Sequence, residues 1–281
     1  MSKKSKKRLT LHIQQNTTPE RVEAIVEALN SEETDEEKLA SICGLGEGVL
    51  IKNVFPFLRN LTLLEQKQPL KLASYGKIAA TIQNNNPSLM GEFFHFILYN
   101  IYFEEPEKRF SWAYSTVVKK LWLRKEVVLS SAEKKALVGE IIELASQKFE
   151  LPASEIAFSE TSISGVLNWL KSFTPSVITS EGKMDVFSRR YFCAAPLFIK
   201  AVDTLYKQLN RTYGVKIFLR EEIQNTLCEM LLLDPSSLDT VLDNAKCTYN
   251  YDQGGFFDWG YEGGYGQWLM LTQSPEWEEL L

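Results

Sequence analysis

The sequence has few of the residues that build metal centres or disulfide frameworks. Only four of its 281 residues are cysteine and only two, His12 and His95, are histidine. The cysteines stand far apart, at Cys43, Cys193, Cys228 and Cys247. None forms a C-x-x-C pair, so their spacing suits neither a zinc ribbon nor a disulfide framework. We therefore expect no metal and no cofactor, and interpret each cysteine as a buried, reduced, small hydrophobic residue.

Long apolar runs and catalytic motifs are also missing. No run approaches the roughly 18 to 20 apolar residues that a membrane span needs, and Leu11 to Gln15 provide no signal-peptide core. The sequence thus predicts a cytoplasmic protein with no membrane partner. It contains no G-x-S-x-G, H-E-x-x-H, Walker or dinucleotide-binding motif. We therefore expect a binding protein and not an enzyme.

Excess positive charge is lacking as well. The formal net charge is -5 and the sequence pI is about 5.4, which counts against strong non-specific DNA binding by the whole surface. A local exception is the block SKKSKKR at residues 2–8. Charge blocks of this kind are disordered by default. We predict a disordered basic arm over residues 1–15, either a solubilising tail or a segment that follows a phosphate backbone.

Three helical patterns and then a hairpin pattern fill residues 16–88. Thr18 and Pro19 suit the start of a helix, a second helix starts at Asp35 and ends at Gly44, and a third spans Glu47–Asn60. Pro56 should bend the third helix or delay its start. This helix either packs against protein or reads DNA. The hairpin pattern has apolar runs at 61–64 and 70–73, a polar turn at 66–69, and Gly76 before the next helix.

Residues 89–180 are predicted to be helical. His95 falls in an aromatic helix and is interpreted as a hydrogen-bonded core residue, because no nucleophile or carboxylate constellation accompanies it. The next helix is predicted from Phe110 to Lys125, and if it begins near Lys108 it carries two parallel rows of basic side chains. These residues are Arg109, Lys120 and Arg124 on one row and Lys108 and Lys119 on the other. Such a stripe is either a solvated face or a track for a phosphate backbone.

In the sequence pattern, residues 181–281 repeat the opening order of elements, after a surface turn or linker at Thr179 to Lys183. A long helix is predicted around Pro196, from Tyr191 to Leu209, followed by helices that start near Leu219 and Asp234. Alternating aromatic residues and glycines then predict a β-hairpin with strands at 256–259 and 267–271 and a turn at 261–264. This order predicts a second, divergent winged helix.

The passage LTLLE…LKLASYGKIAA, following three helical patterns, resembles the wing of the winged helix-turn-helix superfamily. That resemblance implies DNA contacts from the third helix and the wing, here Lys52, Asn53, Arg59 and Lys67, a set with few basic residues. The FSWAY and IAFSETSISGVLNWL stretches are similar to prokaryotic proteins encoded near DNA-modification and phage-defence genes. This second resemblance implies a DNA-linked role and contributes no catalytic residues.

Together these patterns predict a mostly α protein with small β-hairpins (α+β): an N-terminal winged helix, a helical middle and a second winged helix at the C-terminus. The predicted function is non-catalytic binding of double-stranded DNA, as a regulator or as a subunit of a DNA-targeting, defence-type complex. The basic stripe and the wing residues would contact the DNA. The alternative is a protein-interaction scaffold that docks partner subunits through the aromatic C-terminal hairpin.

Overall fold

The computed structural model describes residues 8–182 and 184–281. The protein is mostly helical with small sheets, which confirms the predicted α+β class. It divides into two compact units, Met1–Phe187 and Ser188–Leu281, where the sequence predicted boundaries at residues 88 and 180. Within the described residues, no single helix is long and apolar enough to cross a membrane, and the one pair that qualifies together, Glu36–Ile42 with Glu47–Asn60, is bent by 97°.

The first unit holds a helical bundle with short strands at its edges. Its helices are α1 (Pro19–Asn30), α2 (Glu36–Ile42), α3 (Glu47–Val49), α4 (Phe55–Asn60), α5 (Ser74–Asn85), α6 (Met90–Glu104), α7 (Arg109–Arg124), α8 (Ser131–Phe149) and α9 (Glu160–Lys171). Its strands are β1 (Leu9–Thr10), β2 (Glu126–Val128), β3 (Ile156–Ala157), β4 (Ile178–Glu181) and β5 (Met184–Ser188).

The third predicted helix is interrupted where proline breaks the hydrogen-bond ladder. A π-helical turn, Leu50–Val54, separates α3 from α4, and Pro56 lies in the first turn of α4. Proline lacks the amide hydrogen that an α-helix would use at that position. The helix still spans Glu47–Asn60, so it has a change of helix type before Pro56 and not the late start that was one of the two predictions. The first two helices start as predicted, with Thr18 and Asp35 at their N-caps.

The predicted wing is much shorter than expected. A single antiparallel bridge joins Leu64 to Leu72, formed by backbone bonds from Glu65 N to Lys71 O and from Ala73 N to Leu63 O, each at 3.0 Å. Helix α5 begins at Ser74, so Gly76 lies inside the helix and not before it. A Cβ atom on Gly76 would stand 2.1 Å from Leu63 O. Gly76 therefore permits the close approach of α5 to the hairpin, and does not punctuate the chain.

The basic arm was predicted to extend to residue 15, and the structure contradicts the second half of that range. Residues 1–7 lie outside the described residues, but Leu9–Thr10 form β1, which pairs in parallel with Ile156–Ala157 of β3. Leu11 and Ile13 are fully buried. The prediction of disorder up to residue 15 is therefore wrong for residues 9–15, because the apolar side chains after the basic block pack into the core.

The core of the bundle is aromatic. Phe93 and Phe94 of α6, Tyr114 of α7 and Trp169 of α9 are among the largest fully buried side chains. The Trp169 and Phe94 rings meet edge to face, with centroids 5.4 Å apart. Buried His95 is 2.9 Å from the Tyr114 hydroxyl through Nδ1, which confirms its interpretation as a hydrogen-bonded core residue.

The predicted boundary at Thr179 to Lys183, expected to be a surface turn or a linker, lies in a β-hairpin whose turn includes the exposed Gly182. Strands β4 and β5 pair in antiparallel register, with Ile178 opposite Phe187 and Glu181 opposite Met184, and β2 joins the same sheet beside β5. The side chain of Phe187 is fully buried. Lys183 lies outside the described residues. The chain passes into its second unit only after this hairpin, at residue 188.

The second unit combines helices with one three-stranded sheet. Its elements in chain order are α10 (Ala195–Gln208), β6 (Ile217–Phe218), α11 (Glu221–Met230), α12 (Leu238–Tyr249), β7 (Phe257–Glu262) and β8 (Gly266–Leu271). The helix predicted around Pro196 begins at Ala195, so this proline occupies the first turn, where its missing amide costs nothing.

The C-terminal hairpin is confirmed. Strands β7 and β8 pair in antiparallel register from Phe257 opposite Leu271 to Glu262 opposite Gly266. Strand β6 pairs on the other side of β8, which gives the sheet order β6-β8-β7. In the turn, Gly264 has φ +82, a conformation that glycine adopts without steric cost. Phe257, Leu269 and Leu271 are buried on the inner face of the sheet.

Candidate functional site

The basic stripe of α7 faces carboxylates of α8. Arg124 Nε lies 2.8 Å from Glu133 Oε1, and its Nη2 lies 2.6 Å from Glu140 Oε1. Lys120 Nζ lies 3.1 Å from Glu140 Oε2. Partial burial raises the pKa of Glu140, but the hydrogen bonds from Lys120 and Arg124 outweigh it and hold this pKa below its ordinary value. The ion pairs neutralise the part of the stripe that was predicted to follow a phosphate backbone.

The other stripe residues are divided among different surroundings. The Arg109 guanidinium lies 5.1 Å from the centre of the Phe149 ring. Lys108 Nζ donates to Asn60 Oδ1 at 2.9 Å and lies 3.8 Å from Glu105. Lys119 is exposed. The structure therefore does not gather the five predicted residues into one open row of positive charge.

The four predicted wing and third-helix residues have unequal exposure. Arg59 is half-buried and donates from Nε to Glu65 O at 3.2 Å, with its guanidinium carbon 5.9 Å from the centre of the Phe55 ring. Asn53 is half-buried, whereas Lys52 and Lys67 are exposed. Arg59 thus stabilises the hairpin, and only Lys52 and Lys67 extend into solvent.

Helix α12 follows the second helix of its unit and presents an acidic, polar face to solvent. Asp239 and Asp243 are exposed on it, together with Thr240, Asn244 and Cys247. Its basic residue, Lys246, lies 2.5 Å from Asp258 Oδ1 and donates to Trp259 O at 3.0 Å. A helix that enters a DNA groove needs several basic or amide side chains directed outward. This helix has the opposite charge.

The hairpin end of the second unit exposes tyrosine. Tyr261 and Tyr265 are 74% and 71% exposed, although large aromatic side chains usually bury most of their surface. The Tyr265 ring centre lies 5.5 Å from that of Phe218 on β6. Exposed tyrosine at a rigid turn is a common component of protein interfaces.

A groove beside β6 concentrates positive charge. It has a volume of about 390 Å³ and is lined by Arg211, Lys216 and Arg220, by Glu222, and by apolar side chains that include Leu209 and Ile223. All three basic side chains are exposed. Lys216 Nζ lies 2.9 Å from Glu262 and 4.1 Å from the centre of the Trp268 ring. No ion pair among the described residues involves Arg211 or Arg220.

The remaining basic residues of this unit have internal partners. Arg189 lies 3.6 Å from Asp234, and Arg190 donates to Leu231 O at 2.7 Å. Lys200 donates to Pro275 O at 2.9 Å, and Lys207 to Asp203 at 2.9 Å. Lys246 is paired with Asp258. The unit has 8 Lys and Arg against 13 Asp and Glu, so its groove is a local positive site on an acidic surface.

Asp203 and Tyr206 of α10 hold the loop that carries Arg211 and Lys216 of the groove. Asp203 is 1% exposed and accepts hydrogen bonds from the Tyr213 hydroxyl at 2.7 Å and the Ser274 hydroxyl at 2.8 Å. The Tyr206 hydroxyl donates to Val215 O at 2.5 Å and accepts from Leu271 N at 3.1 Å. The Tyr206 and Tyr213 rings stack, with centroids 5.2 Å apart. Residues 209–216 are therefore fixed between α10 and β8.

Burial and reactivity differ among the cysteines. Cys43, Cys193 and Cys228 are free and buried, as expected, but Cys247 is exposed on α12. The expectation that every cysteine is buried is wrong for Cys247, because its position falls on the outer face of the helix. Burial raises the pKa of the Cys228 thiol to about 12. Within the described residues, no group of three or more His, Cys, Asp or Glu side chains could hold a metal ion.

No protein-family model matches the chain, and no curated protein or solved structure matches it significantly. The groove and the tyrosine turn were not singled out by sequence reasoning as a site. Arg211, Lys216 and Arg220 are separated along the chain and have no helical or strand period in common. The aromatic hairpin itself was a signal in the sequence, and one of its exposed tyrosines, Tyr265, contacts Phe218 of the groove.

Proposed function

We propose that this protein is a non-catalytic interaction protein whose second unit has a winged-helix arrangement and docks a partner protein through the hairpin end. The element order helix, strand, helix, helix, strand, strand and the sheet order β6-β8-β7 support this arrangement. One observation carries the choice of partner class. The exposed face of α12, the third helix of the unit, is acidic, and an acidic face repels the phosphates of DNA.

The hairpin supports docking of a protein. Tyr261 and Tyr265 supply large contact areas with few rotatable bonds, so their ordering on binding costs little entropy. The turn between them is closed by a backbone bond from Tyr265 N to Glu262 O at 3.0 Å. The two rings are held on a paired hairpin before any partner arrives, which lowers the cost of association.

Site-specific photocrosslinking tests the proposal. A benzophenone amino acid is placed at Tyr261 or Tyr265 of the full chain in the cells that produce it. Tyr191 of the same unit, which is 68% exposed, serves as the matched control position. We expect one protein adduct of defined mass from positions 261 and 265 and none from 191. Equal labelling from all three positions, or no adduct from the hairpin, contradicts the proposal.

DNA binding by the first unit is the second candidate function, as a regulator or as a subunit of a DNA-targeting complex. Exposed Lys52 and Lys67 support it. Binding of a fluorescent random duplex is measured by anisotropy from low to moderate salt. If this candidate is right, log affinity falls linearly with log salt, and the variant Lys52→Glu/Lys67→Glu reduces the slope by about two phosphates. The combined variant Lys120→Gln/Arg124→Gln/Glu133→Gln/Glu140→Gln removes both sides of the α7–α8 ion pairs without a change of net charge, and should leave the slope unchanged because those cations are already neutralised. Absence of binding at low salt excludes the candidate.

A further inference from the structure

We infer that the groove beside β6 binds an extended acidic segment of the partner protein, which adds to the sheet as a further strand. The inference rests on the proposed function, because it names the chemistry of the partner that the hairpin end docks. Four features of the second unit lead to it: an open strand edge, the groove's charge, its apolar lining and its fixed loop.

Strand β6 is an edge strand with a backbone amide directed away from its neighbour. Leu219 N donates to Gln267 O at 2.8 Å, and Phe218 stands opposite Trp268. In an antiparallel ladder, hydrogen-bonded and non-hydrogen-bonded pairs alternate. The Phe218–Trp268 pair is therefore of the non-bonded kind, and the Phe218 amide points to the open edge. An extended peptide can accept from this amide, as in other cases of strand addition. The Phe218 carbonyl at the same edge accepts from Arg220 N at 2.9 Å, and its second lone pair can accept from a peptide N–H group.

The side chains of the groove select for charge. The guanidinium groups of Arg211 and Arg220 can each bind a carboxylate through two parallel hydrogen bonds. Lys216 is held by Glu262 at 2.9 Å in an exposed pair, and such pairs contribute little and exchange partners at small cost. Leu209 and Ile223 supply apolar contacts in the same groove. A peptide that alternates acidic and apolar residues would satisfy both sets.

The surroundings favour a short acidic segment over a nucleic acid. Glu222 lines the groove, and the unit as a whole has more carboxylates than basic side chains. A nucleic acid carries a charge at every phosphate and would meet Glu222 in the groove and other carboxylates of the acidic unit. A peptide with two or three carboxylates needs only the local positive site.

The groove is already in place before binding. Tyr206 holds Val215, and Asp203 holds Tyr213, so the loop between α10 and β6 is fixed where it carries Arg211 and Lys216. Binding then requires ordering of the peptide alone, which lowers the entropic cost on the protein side.

A displayed library of random decapeptides, selected against the full chain, tests the inference. Enriched peptides are synthesised with a fluorophore, and their affinity is measured by anisotropy. We expect enrichment of peptides with two or more Asp or Glu alternating with apolar residues.

Arg211→Glu/Arg220→Glu should weaken their binding about tenfold or more. The control Lys135→Glu/Lys148→Glu reverses two exposed lysines of α8, changes net charge equally, and should alter affinity less than about twofold. If Arg211→Glu/Arg220→Glu fails to fold by circular dichroism, Arg211→Gln/Arg220→Gln replaces it.

Strand addition has its own readout. N-methylation of alternate amides along one edge of the peptide should abolish binding, whereas methylation along the other edge should preserve it. Enrichment without acidic residues, no enrichment, equal loss in the control variant, or indifference to N-methylation overturns the inference. Displacement of the peptide by an equimolar twenty-residue thymidine oligonucleotide assigns the groove to nucleic acid and also overturns it. If the hairpin crosslinks to a protein but no peptide binds, the inference about the groove is rejected and the proposed function is retained. If a peptide binds but the hairpin gives no crosslink, the proposed function is rejected and peptide binding by the groove is retained.

Discussion

At the scale of single residues, Asp203 is a buried carboxylate on which several polar groups of the second unit converge. Lys207 and the hydroxyls of Tyr213 and Ser274 donate to it, and Lys200 lies 3.6 Å away. Burial raises the pKa of the Asp203 carboxyl, but hydrogen bonds from Lys207 and Tyr213 and the charge of Lys200 outweigh burial and lower it. The folded state therefore favours the charged form.

We predict that Asp203→Asn lowers the free energy of unfolding by about 3 kcal/mol at neutral pH, because it leaves the buried Lys200 charge without its counter-ion. Urea denaturation at pH 7 measures the change. Asp239→Asn is the control, since Asp239 is exposed on α12, and should change stability by less than about 0.5 kcal/mol. A change of less than about 1 kcal/mol for Asp203→Asn contradicts the assignment of Asp203 as a buried counter-ion.

The same substitution has a defined pH dependence. Because the pKa of Asp203 is lowered on folding, its stabilising contribution is present above the ordinary value of 3.8 and is lost as pH falls through the lowered folded pKa. The difference between the original chain and Asp203→Asn should be constant between about pH 5 and 7 and should shrink below about pH 4. A difference that grows as the pH falls would mean that the folded state prefers the protonated carboxyl.

Thiol reactivity is a second test at this scale. Cys247 is exposed, whereas Cys43, Cys193 and Cys228 are buried, and burial raises the pKa of the Cys43 and Cys228 thiols. Only thiolates react quickly with disulfide reagents. We predict one fast-reacting thiol per folded chain with dithiobis-nitrobenzoate and four in denaturant, with the fast phase absent from Cys247→Ser. A fast phase that survives this substitution would place a second thiol at the surface.

At the scale of elements, two helical glycines distinguish close packing from helix propensity. Gly76 of α5 faces Leu63 O, 2.1 Å from where its Cβ would be, whereas an alanine at Gly139 of α8 would meet nothing within 4 Å. We predict that Gly76→Ala destabilises the protein by about 2 kcal/mol or more. Gly139→Ala should instead stabilise it by about 0.5 to 1 kcal/mol. Thermal unfolding of both variants measures the contrast, and changes of the same sign would contradict the packing of α5 on the hairpin.

The elements that the sequence predicted best are those with a strong local signal. The C-terminal hairpin was predicted within a few residues, because alternating aromatic residues and a glycine-rich turn mark paired strands. The wing near residue 64 was overestimated, since its side chains suit a strand but its backbone makes only one bridge, Leu64 to Leu72. Gly76 was misread because a close approach between two elements leaves no pattern in either element alone.

At the scale of the whole molecule, the second unit has a core of its own. Phe198, Tyr206 and Phe257 are among the largest fully buried side chains of the chain. We predict that a fragment of residues 188–281 unfolds in one cooperative thermal transition, followed by circular dichroism. A shorter fragment ending at residue 271 lacks Ser274 and Pro275, which bind Asp203 and Lys200, and should melt at a lower temperature. A non-cooperative melt of the longer fragment contradicts an independent core.

Long-range contacts explain why the site was harder to predict than the fold. The helical period placed Lys120 and Arg124 correctly on one row of α7, but their neutralisation comes from Glu133 and Glu140 on another helix. The groove is likewise built by residues before and after a two-residue strand. Periodicity reports which face of an element is polar, and it does not report which other element that face meets.

The residues that fix the loop of the groove differ from the residues that line its surface. Asp203 and Tyr206 fix the loop from inside the unit, while Arg211, Lys216 and Arg220 extend outward and stabilise nothing in the core. Mutations that exchange the outward side chains should therefore alter which peptides bind while leaving the fold intact. Under selection, such a module can drift from one binding partner to another through single substitutions, each tolerated by an unchanged scaffold.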